Sequence, residues 1–252
     1  MYIVYMNTVY FVILCIVERI DYPLKGGCLI MKHIPQDRYN VAWFTLAECV
    51  TRREKVRALG VYRLLSHSIN DAALRYQLEG DILLAFEDGT ALEKYDTAYR
   101  MYLKEGRLRE AIAVCEHLHT IEPEKVEHLK KLVDLYKQIK MPHHEVARLK
   151  KLVDLYLQQE NITNAEEVLT KLETHSTAPD VAHERYMFMI ALLRNKKSSH
   201  ELIGQHLYTT LDALIFAEDS TLLQKFLAMV EAMNGEVHAE ALSYVKANNS
   251  TK

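Results

Sequence analysis

The chain has 252 residues, of which 49% are apolar and 26% charged, enough to bury a substantial core in one elongated domain or two small ones. Its formal net charge of −3 gives no general reason to expect a nucleic acid or another polyanion as partner. The four cysteines show neither CxxC spacing nor a paired framework, which favours a reducing compartment. We therefore expect a cytoplasmic protein that does not bind nucleic acid.

The first thirty residues differ in character from the rest. Residues 1–17 are almost all apolar, but no basic segment precedes them and no small-residue cleavage site follows, so a secretory signal is unsupported. Their length is at the short limit for a membrane span, and an inserted segment would leave the rest of the chain on the cytoplasmic side. Residues 25–27, Lys-Gly-Gly, are what a ribosome-binding site encodes when it is read as codons, so translation in a bacterial source would begin at Met31. Three interpretations of residues 1–30 stay open: a start-site artefact, a membrane anchor and a buried apolar helix.

The chain after residue 40 is predicted to be helical throughout. Glycine and proline are few, they fall where helices would end, and very few stretches alternate polar with apolar residues. The predicted helices cover residues 41–57 with a continuation or restart over 61–66 after Gly60, then 70–87, 91–104, 108–120, 123–139, 142–159, 163–172, 179–195, 199–217, 219–235 and 236–247. Short connections make neighbouring helices antiparallel, so the expected fold class is all-α, an array of helical hairpins.

Several helix starts carry recognisable signals. Pro123, Pro142 and Pro179 each suit the first turn of a helix, where a missing N–H costs nothing. Capping boxes, in which a hydroxyl and a carboxylate three residues later satisfy free amides, are predicted at these pairs: Thr90 and Glu93, Thr163 and Glu166, Ser198 and Glu201.

An eight-residue sequence, Leu-Lys-Lys-Leu-Val-Asp-Leu-Tyr, occurs at residues 129–136 and again at 149–156. In both copies the apolar residues fall at helical spacing. Leu135 and Leu155 lie beside that stripe and widen it, so each helix is expected to be covered on two sides. Internal repetition is thus the main message of this sequence.

Two stretches of the chain share a pattern of residues: Tyr102, Gly106, Ala111, Cys115 and Pro123 in the first stretch, and Leu152, Val153, Tyr156, Ala165, Leu169 and Pro179 in the second. This pattern resembles the tetratricopeptide repeat, a 34-residue helix–turn–helix unit. A weaker copy precedes them at Gly80, Ala91, Tyr95 and Ala98. Cys115 and Leu169 replace the usual aromatic residue. The two stretches are 54 residues apart, one repeat plus the 20-residue duplication, so the array is expected to be irregular.

This resemblance, which covers about residues 72–178, implies a right-handed α-solenoid that acts as a protein–protein interaction scaffold or adaptor. Its concave face would hold a peptide or helix of another protein, and the first helix of each hairpin would line that face. The tyrosines at 95, 102, 136 and 156 would pack in the core. Candidate partner-binding positions lie off the apolar stripe of the two first helices: Asp96, Arg100, Lys104, Lys150, Asp154 and Gln158. Residues 31–178 would form the repeats and residues 179–252 a set of helices capping the array.

No constellation in the sequence carries chemistry, so we expect neither an enzyme nor a cofactor. His143, His144 and Glu145 are the most metal-like cluster, but adjacent histidines on a helix point about 100° apart. The H-E-x-x-H motif of zinc hydrolases is not completed, because residue 148, where the second histidine would stand, is arginine. Phosphate loops, dinucleotide fingerprints and hydrolase elbows do not occur in the sequence. Two alternatives stay open: a membrane-tethered assembly factor that uses residues 1–17, and a helical enzyme with a site in residues 179–247.

Overall fold

The computed structural model describes residues 40–195 and 198–249, and every regular element in these ranges is an α-helix. In chain order they are α1 (Asn40–Thr51), α2 (Lys55–Ser66), α3 (Ala72–Ala85), α4 (Ala91–Lys104), α5 (Leu108–Ile121), α6 (Val126–Gln138), α7 (Pro142–Gln158), α8 (Ile162–His175), α9 (Ala178–Arg194), α10 (His200–Phe216), α11 (Ser220–Met233) and α12 (Gly235–Asn249). The described ranges contain no strand, so the all-α prediction is confirmed there.

Most of the described helices pack against the helix that precedes or follows them in the chain. The chain divides into two compact units, Met1–Leu118 and His119–Lys252. In the first unit α1 packs against α2, α2 against α3 and α3 against α4. In the second, α7 packs between α6 and α8, while α9 contacts α7, α8, α10 and α11, and α12 contacts α10 and α11. This sequential packing is compatible with a helical repeat.

One type of turn recurs between consecutive helices. After α6, Lys140 adopts a left-handed backbone with φ of 56°, and the N–H of Met141 donates to the carbonyl of Tyr136 at 2.9 Å. This bond closes the last turn of the helix in the manner of a Schellman motif. The same donation at 2.9 Å recurs from Arg107 to Tyr102 across Gly106, and from Asn161 to Tyr156 across Glu160. The same kind of bond also closes α1, from Glu54 to Cys49, and α3, from Asp88 to Leu83, so this turn is a common helix ending in the described chain.

The tyrosines of the repeat are buried, as predicted. Tyr95 and Tyr102 are each 1% exposed, Tyr156 is 4% exposed and Tyr136 is 7% exposed. Gly80 lies directly against the first of these rings, since a Cβ added there would stand 3.0 Å from Tyr95 Cε1. The small residue on α3 thus allows α4 to approach closely enough for the ring to enter the core.

The two copies of the duplicated octapeptide are covered on two sides, as expected. Leu135 and Leu155, the residues beside the main stripe, are both buried. The valines nevertheless differ, because Val153 is fully buried whereas Val133 is only partly buried. Helix α7, which carries the second copy, contacts α6, α8 and α9, and these neighbouring helices cover one more face of this copy.

The predicted single helix over residues 41–57 is wrong. The first helix ends at Thr51, Arg53 has φ of 60°, and the second helix begins at Lys55 and runs through Gly60. The turn is stabilised from elsewhere in the chain, because Arg53 Nη1 donates to the carbonyl of Ala85 at 2.6 Å. Arginine takes the position that glycine usually fills, so the local sequence hid the break.

Several predicted helix starts are also corrected. Pro123 lies in the turn before α6, which begins at Val126, whereas Pro142 and Pro179 do lie in first turns. The Thr90 hydroxyl donates to Asp88 and makes no cap bond. Helix α8 is capped by Asn161, which accepts from the N–H of Asn164, and α10 is capped by Ser199, which accepts from the N–H of Leu202. In each case a neighbouring polar side chain has the geometry that the predicted cap lacks.

No helix within residues 40–195 and 198–249 is long and apolar enough to cross a membrane. Residues 1–30, to which the three open interpretations apply, lie outside the described residues.

Candidate functional site

The predicted partner-binding residues of the first unit form one charged row along α4. Asp96, Arg100 and Lys104 follow one another at intervals of four residues, so they share a helix face. Asp96 and Arg100 form an ion pair, and the Arg100 side chain remains 77% exposed. Lys104 is exposed in the last turn of the helix. The buried tyrosines, Tyr95 and Tyr102, project from other positions of the same helix.

The predicted residues of the second unit lie along α7, but one of them is engaged within the unit. Lys150 Nζ donates to the carbonyl of Asp180 in the first turn of α9 and lies 3.5 Å from Oε1 of Glu184. Glu184 is itself only 5% exposed, so the ion pair links α7 and α9 at a buried position. Asp154 is partly buried and Gln158 is exposed. Of the three residues, Lys150 is therefore engaged with α9, whereas Gln158 is exposed and Asp154 is partly exposed.

The carboxylate of Asp154 lies in a less polar setting than a surface residue. Burial raises its pKa, while the nearby His183 on α9 and Lys150 act in the opposite direction. The Asp154 side chain is thus less solvated than a surface carboxylate and lies beside the contact between α7 and α9.

A chain of hydrogen bonds across three helices of the first unit was not predicted. The hydroxyl of Tyr95 on α4 lies 2.6 Å from Oδ1 of Asp81 on α3 and 3.1 Å from Nε2 of His117 on α5. Because an ionised carboxylate only accepts, Tyr95 donates its single hydrogen to Asp81 and accepts from Nε2–H of His117. Burial raises the pKa of Asp81 to about 6 and lowers that of His117.

A second polar network, in the other unit, joins α8, α9 and α10 and was likewise not predicted. Arg185, 8% exposed, donates through Nε to Glu173 and through Nη1 to Thr209 Oγ1 at 3.1 Å. Its Nη1 also lies 3.1 Å from Nδ1 of His206, whose Nε2 lies 3.1 Å from Glu166 Oε1. Since a guanidinium can only donate, Nδ1 accepts and Nε2 carries the hydrogen that is donated to Glu166.

Neither network has a sequence signal that would have revealed it. Asp81 and His117 are 36 positions apart, and each lies on a helix whose other residues read as ordinary core or surface. Arg185 follows Glu184 in a helix where a charged pair is typical of a solvated face. Only the neighbouring helices make these groups buried.

The histidines that resembled a metal cluster are directed to different partners. His144 stacks on Tyr136 with ring centroids 5.0 Å apart, and Glu145 is buried with Oε1 at 3.7 Å from His175 Nε2. Within residues 40–195 and 198–249 no group of three or more potential ligands is placed to hold a metal ion.

No protein-family model, curated protein or solved structure matches this chain. The assignment of a function accordingly rests on the geometry of its own residues.

Proposed function

We propose that the protein is a non-enzymatic interaction scaffold whose helices stack as tetratricopeptide-like hairpins in a right-handed solenoid. A peptide or helix of another protein would bind its concave face through the outward rows of α4 and α7. The proposal is supported by the sequential helix packing, by the recurrent turn after α4, α6 and α7, and by the burial of the repeat tyrosines.

One observation carries the proposal. On α4, Asp96 and Arg100 lie six and two positions before Tyr102, and Lys104 lies two positions after it. On α7, Lys150, Asp154 and Gln158 lie at the same three positions relative to Tyr156. Both tyrosines are buried, so both rows have the same angular position relative to a core residue. Helices that repeat in this way would each present a polar row on the side opposite to a buried tyrosine, which is where a partner segment could bind.

The rows differ in the groups that they offer. The α4 row offers Arg100, which is exposed, and Lys104 at the C-terminal end of the helix. The α7 row offers the carboxylate of Asp154 and the amide of Gln158. A partner segment would therefore meet cations at the α4 row and hydrogen-bond acceptors at the α7 row, each within its own unit. Exposed charges of this kind govern the association rate and the orientation of a partner more than its affinity.

The test compares two triple alanine variants. The row variant carries Arg100→Ala, Lys104→Ala and Gln158→Ala. The control variant carries Arg109→Ala, Lys137→Ala and Gln224→Ala, which are exposed residues of α5, α6 and α11 and change the net charge equally. Lys150 is left intact because its removal would leave buried Glu184 without its cation.

Partners are identified by affinity purification from the native source followed by mass spectrometry. We expect the row variant to lose at least one specific partner that the control variant retains, while both variants keep the melting temperature of the wild type within about 2 °C. Retention of every partner by the row variant would exclude these rows as the binding face.

A further inference from the structure

Helix α2 carries an outward row that is unlike those of α4 and α7. Val56, Gly60 and Leu64 are spaced four residues apart and lie on one face of the helix. Val56 is 88% exposed, Leu64 is 73% exposed, and Gly60 between them is exposed as well. We propose that this row binds an amphipathic helix of another protein whose apolar stripe is flanked by acidic residues. The surface is carried by a different helix and does not depend on the proposed function of the α4 and α7 rows.

The exposed apolar residues are concentrated in one part of the chain. Among the described residues, five large apolar side chains are more than half exposed: Val41, Phe44, Val56, Leu64 and Phe216. Four of them lie on α1 and α2, although α2 also contributes Ala58, Tyr62 and Leu65 to the core. The helix is thus apolar on two faces but packs only one of them within the described chain. Large apolar side chains concentrated at the surface in this way are typical of an interaction site.

The described part of the first unit gives no structural reason for a glycine at position 60. A glycine in the middle of a helix costs about 0.5–1 kcal/mol relative to alanine. Its backbone is not in the left-handed region, and a Cβ added to it would meet nothing within 4 Å. Neither conformation nor packing among the described residues therefore requires glycine here. A missing side chain between two apolar neighbours leaves a notch where the backbone of another helix can approach closely.

The charge of α2 selects the partner. The helix contains Lys55, Arg57 and Arg63 and no acidic residue. Lys55 pairs with Asp88 and Arg57 with Glu54, whereas the guanidinium of Arg63 makes no ion pair with another described residue. A second copy of this chain would oppose like charges across the row, which is unfavourable. An acidic flank beside the apolar stripe would match Arg57 and Arg63. A bilayer surface would meet the same cations, but its binding would not require a missing side chain at residue 60.

The test uses the full chain and a display library of 18-residue helical peptides with a fixed leucine stripe and randomised flanking positions. Peptides are selected on the wild type and counter-selected on the variant Gly60→Leu. The open space above Gly60 means that this variant should fold, which its melting temperature verifies. The matched control variant is Gly204→Leu, at another helical glycine with nothing near a Cβ.

We expect enrichment of Asp and Glu on the flanks, at least about tenfold weaker binding to Gly60→Leu and unchanged binding to Gly204→Leu. When a selected peptide is added to the wild type, the largest chemical-shift changes should occur in residues 56–64. Failure to enrich any peptide specific to the wild type, or enrichment of neutral or basic flanks, would overturn the proposal. So would self-association that Gly60→Leu abolishes, or binding to vesicles containing phosphatidylserine that Gly60→Leu weakens as much as it weakens peptide binding.

Discussion

Tyr95 donates its hydroxyl hydrogen to Oδ1 of Asp81 across 2.6 Å, and it thereby joins α4 to α3 at a position that burial makes unfavourable for a negative charge. The nearby His117 completes the contact from α5. Because Asp81 is the buried titratable partner of Tyr95, the stability of the first unit is expected to depend on pH.

Replacement of Asp81 by asparagine should stabilise the protein at neutral pH. Burial raises the pKa of Asp81 from 3.8 to about 6, so the folded state holds this proton more tightly than the unfolded state. The stability that this proton contributes is present below pH 3.8 and is lost as the pH rises to 6. Asparagine keeps an oxygen that accepts from Tyr95. We expect Asp81→Asn to raise the free energy of unfolding by about 1–3 kcal/mol at pH 7 and to change it little at pH 4.

Urea unfolding at pH 4, 5 and 7 measures this difference. The control is Glu93→Gln, an exposed carboxylate in the first turn of α4, which should change stability by less than about 0.5 kcal/mol at every pH. A loss of stability in Asp81→Asn at pH 7 would show that the ionised carboxylate is favoured where it lies.

The two helical glycines of the first unit should respond oppositely to alanine. At Gly80 the new Cβ would stand 3.0–3.1 Å from the ring of Tyr95, which is 1% exposed and whose hydroxyl is bonded to Asp81 and His117. Gly80→Ala should therefore destabilise the protein by about 1–3 kcal/mol. Gly60→Ala meets no neighbour and should stabilise it by about 0.5–1 kcal/mol. Thermal or urea unfolding of the pair decides this, and equal effects of the two changes would contradict the packing of Tyr95 against α3.

Glycine at Lys140 should stabilise the turn between α6 and α7. Lys140 has φ of 56°, a conformation that costs a residue with a side chain about 1–2 kcal/mol, and glycine relieves this at the expense of greater freedom in the unfolded chain. The net expected gain for Lys140→Gly is about 0.5–1 kcal/mol in urea unfolding. Lys137→Gly, three residues earlier within α6, should instead cost about 1 kcal/mol. A comparable loss in both variants would mean that the left-handed turn is not formed.

Removal of Arg185 should destabilise the second unit. The side chain is almost fully buried and satisfies Glu173, Thr209 and His206 together. Arg185→Ala would leave these groups without a donor and should lower the free energy of unfolding by about 3 kcal/mol. The matched control is Arg194→Ala at the exposed end of the same helix, with an expected effect within about 0.5 kcal/mol. Equal effects of the two substitutions would show that the network contributes nothing.

The sequence predicted those features that depend on a single helix and its immediate flanks. Apolar residues at helical spacing located α3 to α12 to within a few residues, because a helix must bury one face whatever it packs against. Tyr102 and Tyr156 were correctly predicted as core residues for the same reason. The break at Arg53 could not be predicted, since an arginine with φ of 60° occupies the position that glycine usually takes, and the bond that closes the turn, from the N–H of Glu54 to the carbonyl of Cys49, has no sequence signal.

The sequence predicted which residues form the two rows. It did not predict which of those residues are engaged by other helices of the chain. Their spacing follows from the helical period, and their solvent-facing side follows from the tyrosines opposite. That Lys150 is taken up by α9 depends on Glu184 and on the carbonyl of Asp180, which periodicity does not place. For the same reason, the hydrogen-bond partners of Asp81 and Arg185 could not be predicted from the sequence.

The duplicated octapeptide separates the two levels most clearly. By itself the sequence determined that both copies form helices with buried leucines and a buried tyrosine, because hydrogen bonding and amphipathic burial are local. Only the tertiary structure decided that Lys130 lies 5.6 Å from the centre of the Tyr156 ring while its counterpart Lys150 pairs with Glu184, and that Val153 is buried more deeply than Val133. Identical residues thus have different environments, because each environment is made by helices that are distant in the chain.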